Sequence, residues 1–388
     1  MKKQIVIFGS TGSIGKTLIN ILKKDKKSFE IKLLTANKNT KELLKQVRLF
    51  EVKNIIITNR KKFLLVQKLL INKKINIYNN FNSIPKIFKN KKIDYTMNSL
   101  SGLDGLYPTL KIIKFTKKIA IANKESIICG WSLIKKELTK YKTEFIPIDS
   151  EHFSIWSLTK NANNNNIEKI YITASGGPFI KLPLNKFKFI NQKSAINHPN
   201  WSMGKKISID SATMMNKVFE IIEARKIFNF DYKKIEVLIH PKSYVHAVVK
   251  FNNGLSKILI HDTNMTIPIF NSIYPNFIKK IKSKKLDLDI LNNLNFSHVD
   301  KKRFPITQVL KNLPNHDSLY ETILVAANDK LVQMFLDKKI KFSEISQFLL
   351  RFIVSKEFNK YKSIKPSNIK EIEKLRDYVS LKIETKCV

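Results

Sequence analysis

The sequence predicts an α/β chain in three regions: an N-terminal Rossmann-like, doubly wound sheet (1–149), a central α+β region (150–290) and a C-terminal helical bundle (300–388). Three observations predict it. Over 1–149, short apolar runs alternate with helix-period stretches, the pattern of parallel strands joined by crossover helices. A glycine-rich turn, Gly9-Ser10-Thr11-Gly12-Ser13-Ile14-Gly15, falls directly between the first strand and the first helix. Over 300–388 the periodicity is helical and glycine is scarce. A length of 388 residues suits two or three domains.

Taken in order, the N-terminal strands are expected at Gln4–Phe8, Ile31–Thr35, Asn54–Thr58, Asp94–Met97, Lys118–Ala122 and Glu144–Ile148. Each is a short run rich in β-branched residues. Helical patterns lie between them, as at Ile14–Lys24 and Thr40–Phe50. The polar stretch Asn161–Asn166 reads as a solvent loop. The central region offers strands at Lys169–Thr173, Glu236–Ile239 and Ala247–Phe251. One long helix is expected from Ser211 to Phe228, with Asp210 or Ser211 as its N-cap. Helices close the chain at Ser318–Leu336, Phe342–Val354 and Ile369–Lys382.

Composition excludes several classes. Hydrophobic residues make up 43% and charged residues 26%, an ordinary globular balance. The 2 cysteines, Cys129 and Cys387, are far apart, which argues against a disulfide framework or a multi-cysteine zinc site. Cys129 sits in an apolar, helix-like context and reads as an inert small hydrophobe. No run of about 18 apolar residues suggests a membrane span. The start, Met1-Lys2-Lys3-Gln4, runs straight into a strand, so a cytoplasmic protein is expected. The formal net charge is +40. The excess is nearly all lysine, spread end to end among Asn and Ile, and arginine is confined to Arg48, Arg60, Arg225, Arg303, Arg351 and Arg376. All three abundant types have A/T-rich codons. Base readers favour arginine, so base bias explains the charge better than specific nucleic-acid binding.

Three constellations carry chemistry. In the first, the glycines of the turn let backbone approach a pyrophosphate at a helix N-terminus. Thr11, Gly12, Ser13 and Ile14 are its expected contacts. The second strand ends in Asn37-Lys38-Asn39 without the acid that usually meets an NAD ribose, and Lys38 could meet a 2′-phosphate, which favours NADPH. In the second, Asp149-Ser150-Glu151-His152 closes a strand. Acids at spacing two share one face of an extended segment, and their repulsion calls for a hard divalent cation such as Mg²⁺ or Mn²⁺. In the third, Asn216, Lys217 and Glu220 share one helix face. A third acid beside a cation and an amide could complete the metal site and hold a phosphate.

Two loops lie between these: Ala174-Ser175-Gly176-Gly177-Pro178-Phe179, suited to an oxyanion, and His198-Pro199-Asn200-Trp201-Ser202-Met203-Gly204. The second leads toward an expected strand before Ser211. It reads as a flap with Trp201 as lid and Gly204 as hinge.

These segments, with Ala122-Asn123-Lys124-Glu125-Ser126 and Leu238-Ile239-His240-Pro241, closely resemble the 1-deoxy-D-xylulose 5-phosphate reductoisomerases over most of 1–270. The resemblance implies a homodimeric enzyme of non-mevalonate isoprenoid synthesis. It would use NADPH and Mg²⁺ or Mn²⁺, with cofactor domain 1–149, catalytic domain 150–290 and helical domain 300–388. It places the metal on Asp149, Glu151 and Glu220, and the substrate phosphate on Ser175, Ser211, Asn216 and Lys217 with His198 nearby. Ser150 and Lys124 would contact the reacting end, and Trp201 and Met203 would belong to the flap. Asn37, Lys38, Asn39, Asn123, Glu125 and Gly204 would line the cofactor side, and His152 could orient groups or move protons. Asn37 stands where the family often has Gly, and Thr263-Asn264 where it has Pro-Asp. The alternatives are a dehydrogenase of another phosphorylated sugar, which need not place three carboxylates on a cation, and a nucleic-acid-binding protein.

Overall fold

The computed structural model describes every residue except 72, 90, 161, 202, 275–278, 387 and 388. Asn161, Ser202 and Cys387, all named above, therefore lie outside the described residues. The chain divides into two compact units: Met1–Ser126 with Ser132–Asp149 and Met265–Ile281, and Ile127–Trp131 with Ser150–Asn264 and Lys282–Val388. The grouping differs from three consecutive regions. The residues expected in the central and C-terminal domains fall largely into one unit, and Met265–Ile281 packs with the first.

Among the described residues the first unit holds seven parallel strands: β1 (Lys3–Phe8), β2 (Phe29–Ala36), β3 (Asn54–Ile57), β4 (Asn76–Tyr78), β5 (Ile93–Asn98), β6 (Thr116–Ile121) and β7 (Glu144–Pro147), in spatial order β4-β3-β2-β1-β5-β6-β7. Ile5, Val6, Ile7 and Phe8 are all fully buried, as expected of strands covered on both faces. The connecting helices are α1 (Ser13–Lys24), α2 (Thr40–Phe50), α3 (Arg60–Leu69), α4 (Ile84–Phe88), α5 (Leu106–Ile112) and α6 (Lys124–Tyr141). Strand order reverses between β1 and β5, so their C-terminal ends open the crevice where ligands of such sheets bind.

The second unit contains α7 (Ser150–Thr159), β8 (Ile167–Ala174), α8 (Gln192–Ala195), α9 (Lys205–Thr213), α10 (Met215–Phe228), β9 (Ile235–Ile239), β10 (Val245–Phe251) and β11 (Ser256–Ile260). Then come α11 (Thr266–Ile273), which belongs to the first unit and packs on α1, and α12 (Leu288–Asn292), β12 (Ser297–His298), α13 (Tyr320–Leu336), α14 (Phe342–Ile353) and α15 (Ile369–Lys386). Its sheet runs β11-β10-β8-β9-β12, with only β8 and β9 parallel. Helices α7 and α10 cover this sheet through Ile155, Ile221 and Ala224. Helix α13 packs against α14, α15 and α9.

Three local expectations change. The helix expected over Ser211–Phe228 is two helices, α9 and α10, broken at Met214, whose φ of 73° is left-handed. Asp210 and Ser211 are thus no N-cap. They occupy the last turn of α9, whose N-cap is Gly204. The segment between the flap and Ser211 is therefore helix rather than strand. The break matters because it restarts the helix just before Asn216, putting Asn216 and Lys217 in a first turn and Glu220 one turn further on.

Candidate active site

The glycine turn is built as its residues demand. Gly9 follows β1 with φ +73°, and a Cβ there would meet the Ser99 carbonyl oxygen at 2.8 Å. The Ser99 hydroxyl, just past β5, donates to the Phe8 carbonyl at 2.7 Å and so ties the two strand ends together. A Cβ on Gly15 would lie 2.4 Å from the Gly9 carbonyl oxygen, so helix α1 can approach this closely only with glycine. Gly12 caps α1 without a side-chain bond, and no acid sits in the first turn. Its N-terminal amides and dipole suit an anion. At the end of β2, Asn37, Lys38 and Asn39 are exposed, and Asn39 caps α2 by accepting from the Glu42 amide at 3.2 Å.

Asn123 caps α6, accepting from the Ser126 amide at 2.6 Å, and its own amide donates to the Gly102 carbonyl at 2.6 Å. It therefore shapes the loop beyond β5 as well as the helix. That cap orients the next residue, Lys124, whose buried ammonium pairs with Asp149. Glu125 is buried beside it.

Asp149 stands in a bend after β7, and Ser150 begins α7. The acids are thus not on one extended segment; Glu151 lies in a first helical turn. They converge all the same. Oxygens of Asp149, Glu151 and Glu220 all lie within 4.8 Å of one another. An all-carboxylate oxygen set of this kind fits a hard divalent cation such as Mg²⁺.

Around the acids, the Ser150 hydroxyl bonds to Glu151 and the Asn216 amide to Glu220. The Lys217 ammonium lies 3.0 Å from Glu151 and 2.5 Å from Glu220. Burial alone would lower Lys217, but the two carboxylates outweigh it and hold the ammonium above the usual lysine range. His152 is buried, with Nε2 2.8 Å from the Glu220 backbone carbonyl and Nδ1 3.9 Å from Glu223. It ties α7 to α10 through backbone.

The two loops meet each other. Ser175 Oγ and His198 Nε2 are 2.9 Å apart. His198 Nδ1 accepts from the backbone amides of Asn200 at 3.1 Å and Trp201 at 3.0 Å. With Nδ1 an acceptor, the neutral ring carries its proton on Nε2 and donates to Ser175. Burial, helped by the charge of Lys217, pushes His198 down to about 4. A Cβ on Gly177 would come 3.0 Å from the Ser211 carbonyl, so only glycine lets the Ser175 turn reach the end of α9. Ser175, His198, Ser211 and Lys217 thus share one neighbourhood. Trp201, half-buried, meets His246 edge-on at 6.1 Å.

The family model described as 1-deoxy-D-xylulose 5-phosphate reductoisomerase matches residues 5–130, and those for its C-terminal domains match 145–228 and 261–379. A 1-deoxy-D-xylulose 5-phosphate reductoisomerase of Pelagibacter ubique (strain HTCC1062) is 66% identical over 387 residues, covering 100% of both chains. The chain belongs to the 1-deoxy-D-xylulose 5-phosphate reductoisomerase family. Another reductoisomerase, from Sulfurihydrogenibium sp. (strain YO3AOP1), is 35% identical across 93% of each chain. Among solved structures, the reductoisomerase from Zymomonas mobilis in complex with NADPH is similar with TM-score 0.88 at 28% identity, covering 100% of this chain and 99% of that one. A DOX-P reductoisomerase in complex with NADPH, fosmidomycin and magnesium gives 0.90 at 28%, covering 99% and 98%.

Nothing in the spacing of the sequence brings His246 and His261 together, yet the fold does. Their rings stack at 3.7 Å, Trp201 meets the His246 ring edge-on, and burial holds His261 below the usual histidine range. Glu223, which no motif marks, is buried one turn beyond Glu220 and next to His152.

Proposed function

We propose that this chain converts 1-deoxy-D-xylulose 5-phosphate to 2-C-methyl-D-erythritol 4-phosphate, rearranging the carbon skeleton and reducing the product with NADPH. The convergence of Asp149, Glu151 and Glu220 carries the reading, in a chain that also has a glycine-built pyrophosphate cradle. A dehydrogenase of another phosphorylated sugar would not need that convergence. When bound, Mg²⁺ acts as a Lewis acid toward the ketone and neighbouring hydroxyl, and NADPH supplies the hydride.

The chain's own residues do the rest. Asp149, Glu151 and Glu220 would hold the cation. Thr11, Gly12, Ser13 and Ile14 would receive the pyrophosphate, and Lys38 the 2′-phosphate. Ser175, His198, Ser211, Asn216 and Lys217 would grip the substrate phosphate. Lys124 and Ser150 would face the reacting end, where Lys124 also positions Asp149. His152 acts as a positioning residue by fixing the Glu220 backbone. Closure of His198–Gly204 with Trp201 would exclude water.

We read the enzyme as a cytoplasmic homodimer that accepts Mn²⁺ as well as Mg²⁺. Edge strand β11, with its exposed Ile258, supports a second copy pairing there. Among the described residues no helix is long and apolar enough to cross a membrane. NADPH oxidation with 1-deoxy-D-xylulose 5-phosphate, with and without Mg²⁺, tests the function. Oxidation at equal rates after chelation would sink it.

A further inference from the structure

The Lys217 ammonium occupies a demanding place. It lies 3.0 Å from Glu151 Oε1 and 2.5 Å from Glu220 Oε2, and its side chain is 7% exposed. The other oxygen of Glu220 is bonded by Asn216. The carboxylate oxygens of the candidate metal site are therefore already served by the chain's own donors. An ammonium in contact with two of the three carboxylates opposes a divalent cation there, because two positive charges that close repel strongly where water screens them little.

Nor would the partly exposed Glu151 and the buried Glu220 stay side by side without a cation, since their mutual repulsion would drive them apart. Lys217, in contact with both, supplies one.

A displaced ammonium needs a new partner, since a buried charge left alone is costly. The neighbouring Ser175 turn, His198 and the end of α9 offer hydroxyls, an imidazole donor and backbone amides, while the one carboxylate in that last turn, Asp210, is engaged by Lys206 at 3.2 Å and Asn328 at 2.8 Å. Those groups suit an anion and cannot by themselves neutralise lysine. Lys217 is near enough for its charge to depress His198.

We propose that Lys217 is a resident counter-ion for Glu151 and Glu220 that metal displaces and a phosphate dianion then receives, so that metal and phosphate bind cooperatively through this one side chain. The proposal rests on the reading of the three acids as the metal site. It adds a consequence which that reading lacks. Without phosphate, Lys217 competes with the metal. With phosphate, the lysine is drawn off and the metal site is unblocked. By linkage, the factor by which phosphate tightens metal must equal that by which metal tightens phosphate.

Calorimetric titration of the whole enzyme tests this without turnover. Mg²⁺ is titrated into wild type and Lys217→Met, each with and without saturating inorganic phosphate. Wild type should bind Mg²⁺ about 10-fold tighter with phosphate, a coupling typical of linked sites. Lys217→Met should bind Mg²⁺ at least about as tightly as phosphate-saturated wild type, and phosphate should no longer change its affinity. An unchanged Mg²⁺ affinity in wild type on adding phosphate would overturn the proposal, and that arm does not depend on the variant folding. So would Lys217→Met binding Mg²⁺ more weakly than phosphate-free wild type, since Lys217 would then support the metal instead of competing with it. If neither protein bound Mg²⁺ at all, the metal reading itself would fall, and the proposal with it.

Discussion

The helix that carries Asn216, Lys217 and Glu220 is anchored at its far end by a buried ion pair, and that anchor can be broken selectively. The Lys226 side chain is 2% exposed, with its ammonium 2.8 Å from Asp317 and 3.0 Å from Glu321. Glu321 is fully buried at the start of α13. Its other oxygen accepts from the Ser318 amide at 3.1 Å and from the Ser318 hydroxyl. Lys226→Met keeps the volume and removes the charge. Asp317 keeps Arg225 at 3.0 Å, but Glu321 loses the cation paired with its Oε1. Removing one member of a buried pair costs about 3–5 kcal/mol, mostly the penalty of the charge left behind. At about 2.1 cal/mol/K of unfolding entropy per residue, a unit of roughly 230 residues should lose about 6–10 °C in Tm. Urea denaturation followed by tryptophan fluorescence measures the loss directly. The double variant Lys226→Met/Glu321→Gln should recover at least about half of it, because the amide oxygen can still accept from Ser318 and no charge remains. Turnover at 25 °C should change less than about threefold, since these residues touch neither the acids nor the loops. A loss under about 1 kcal/mol for Lys226→Met, or a double variant no more stable than the single, would refute the reasoning.

Glu151→Gln should keep the wild-type Tm within about 2 °C in the absence of metal yet lose at least about 100-fold in kcat/KM; near wild-type turnover at limiting Mg²⁺ would remove Glu151 from the metal site. The enzyme should prefer NADPH to NADH, and Lys38→Ala should erode that preference about 10-fold in kcat/KM, whereas equal values for the two cofactors would leave Lys38 merely solvated. His198→Asn places its amide oxygen where Nδ1 accepts from Asn200 and Trp201, while His198→Gln mimics only Nε2 toward Ser175. Asn should therefore preserve the flap's resistance to limited proteolysis, and Gln should not. His198 is pushed down to about 4, below its ordinary 6.5, so the unfolded chain binds the extra proton first. The stability it contributes is complete above about 6.5 and fades as pH falls toward about 4, and wild type should lose more stability than His198→Asn between pH 7 and 4.5.

The chain shows its nucleotide domain in sequence because parallel strands must be apolar on both faces and the turn after β1 must be glycine. Gly9 and Gly15 have no substitutes at 2.8 and 2.4 Å clearance, so the constraint is written in residue type. Short edge strands leave no such trace. Strand β4 is three residues, Asn76–Tyr78, with none buried, and β12 only two. The break at Met214 was equally hidden. No glycine, asparagine or proline marks it; instead a methionine is held left-handed by burial of its side chain, which is 2% exposed.

The site's supporting layer was hardest to read, for a reason that the histidine stack makes concrete. His246 lies on β10 and His261 just past β11, fifteen residues apart. Regular antiparallel pairing places residues by parity, and a pairing of Val245 with Ile260 would put the next residues in step. The register shifts between Val245 and Ala247, so His246 sits in the irregularity itself. A bulge re-aims one side chain without changing residue type. That is how an imidazole comes to stack on another at 3.7 Å and to meet Trp201 edge-on while the sequence around it reads as an ordinary strand. The acids that touch a cation are legible because their chemistry is rare in a lysine-rich chain. The groups that aim them are legible only once backbone geometry is known, because burial and register, not composition, give them their role.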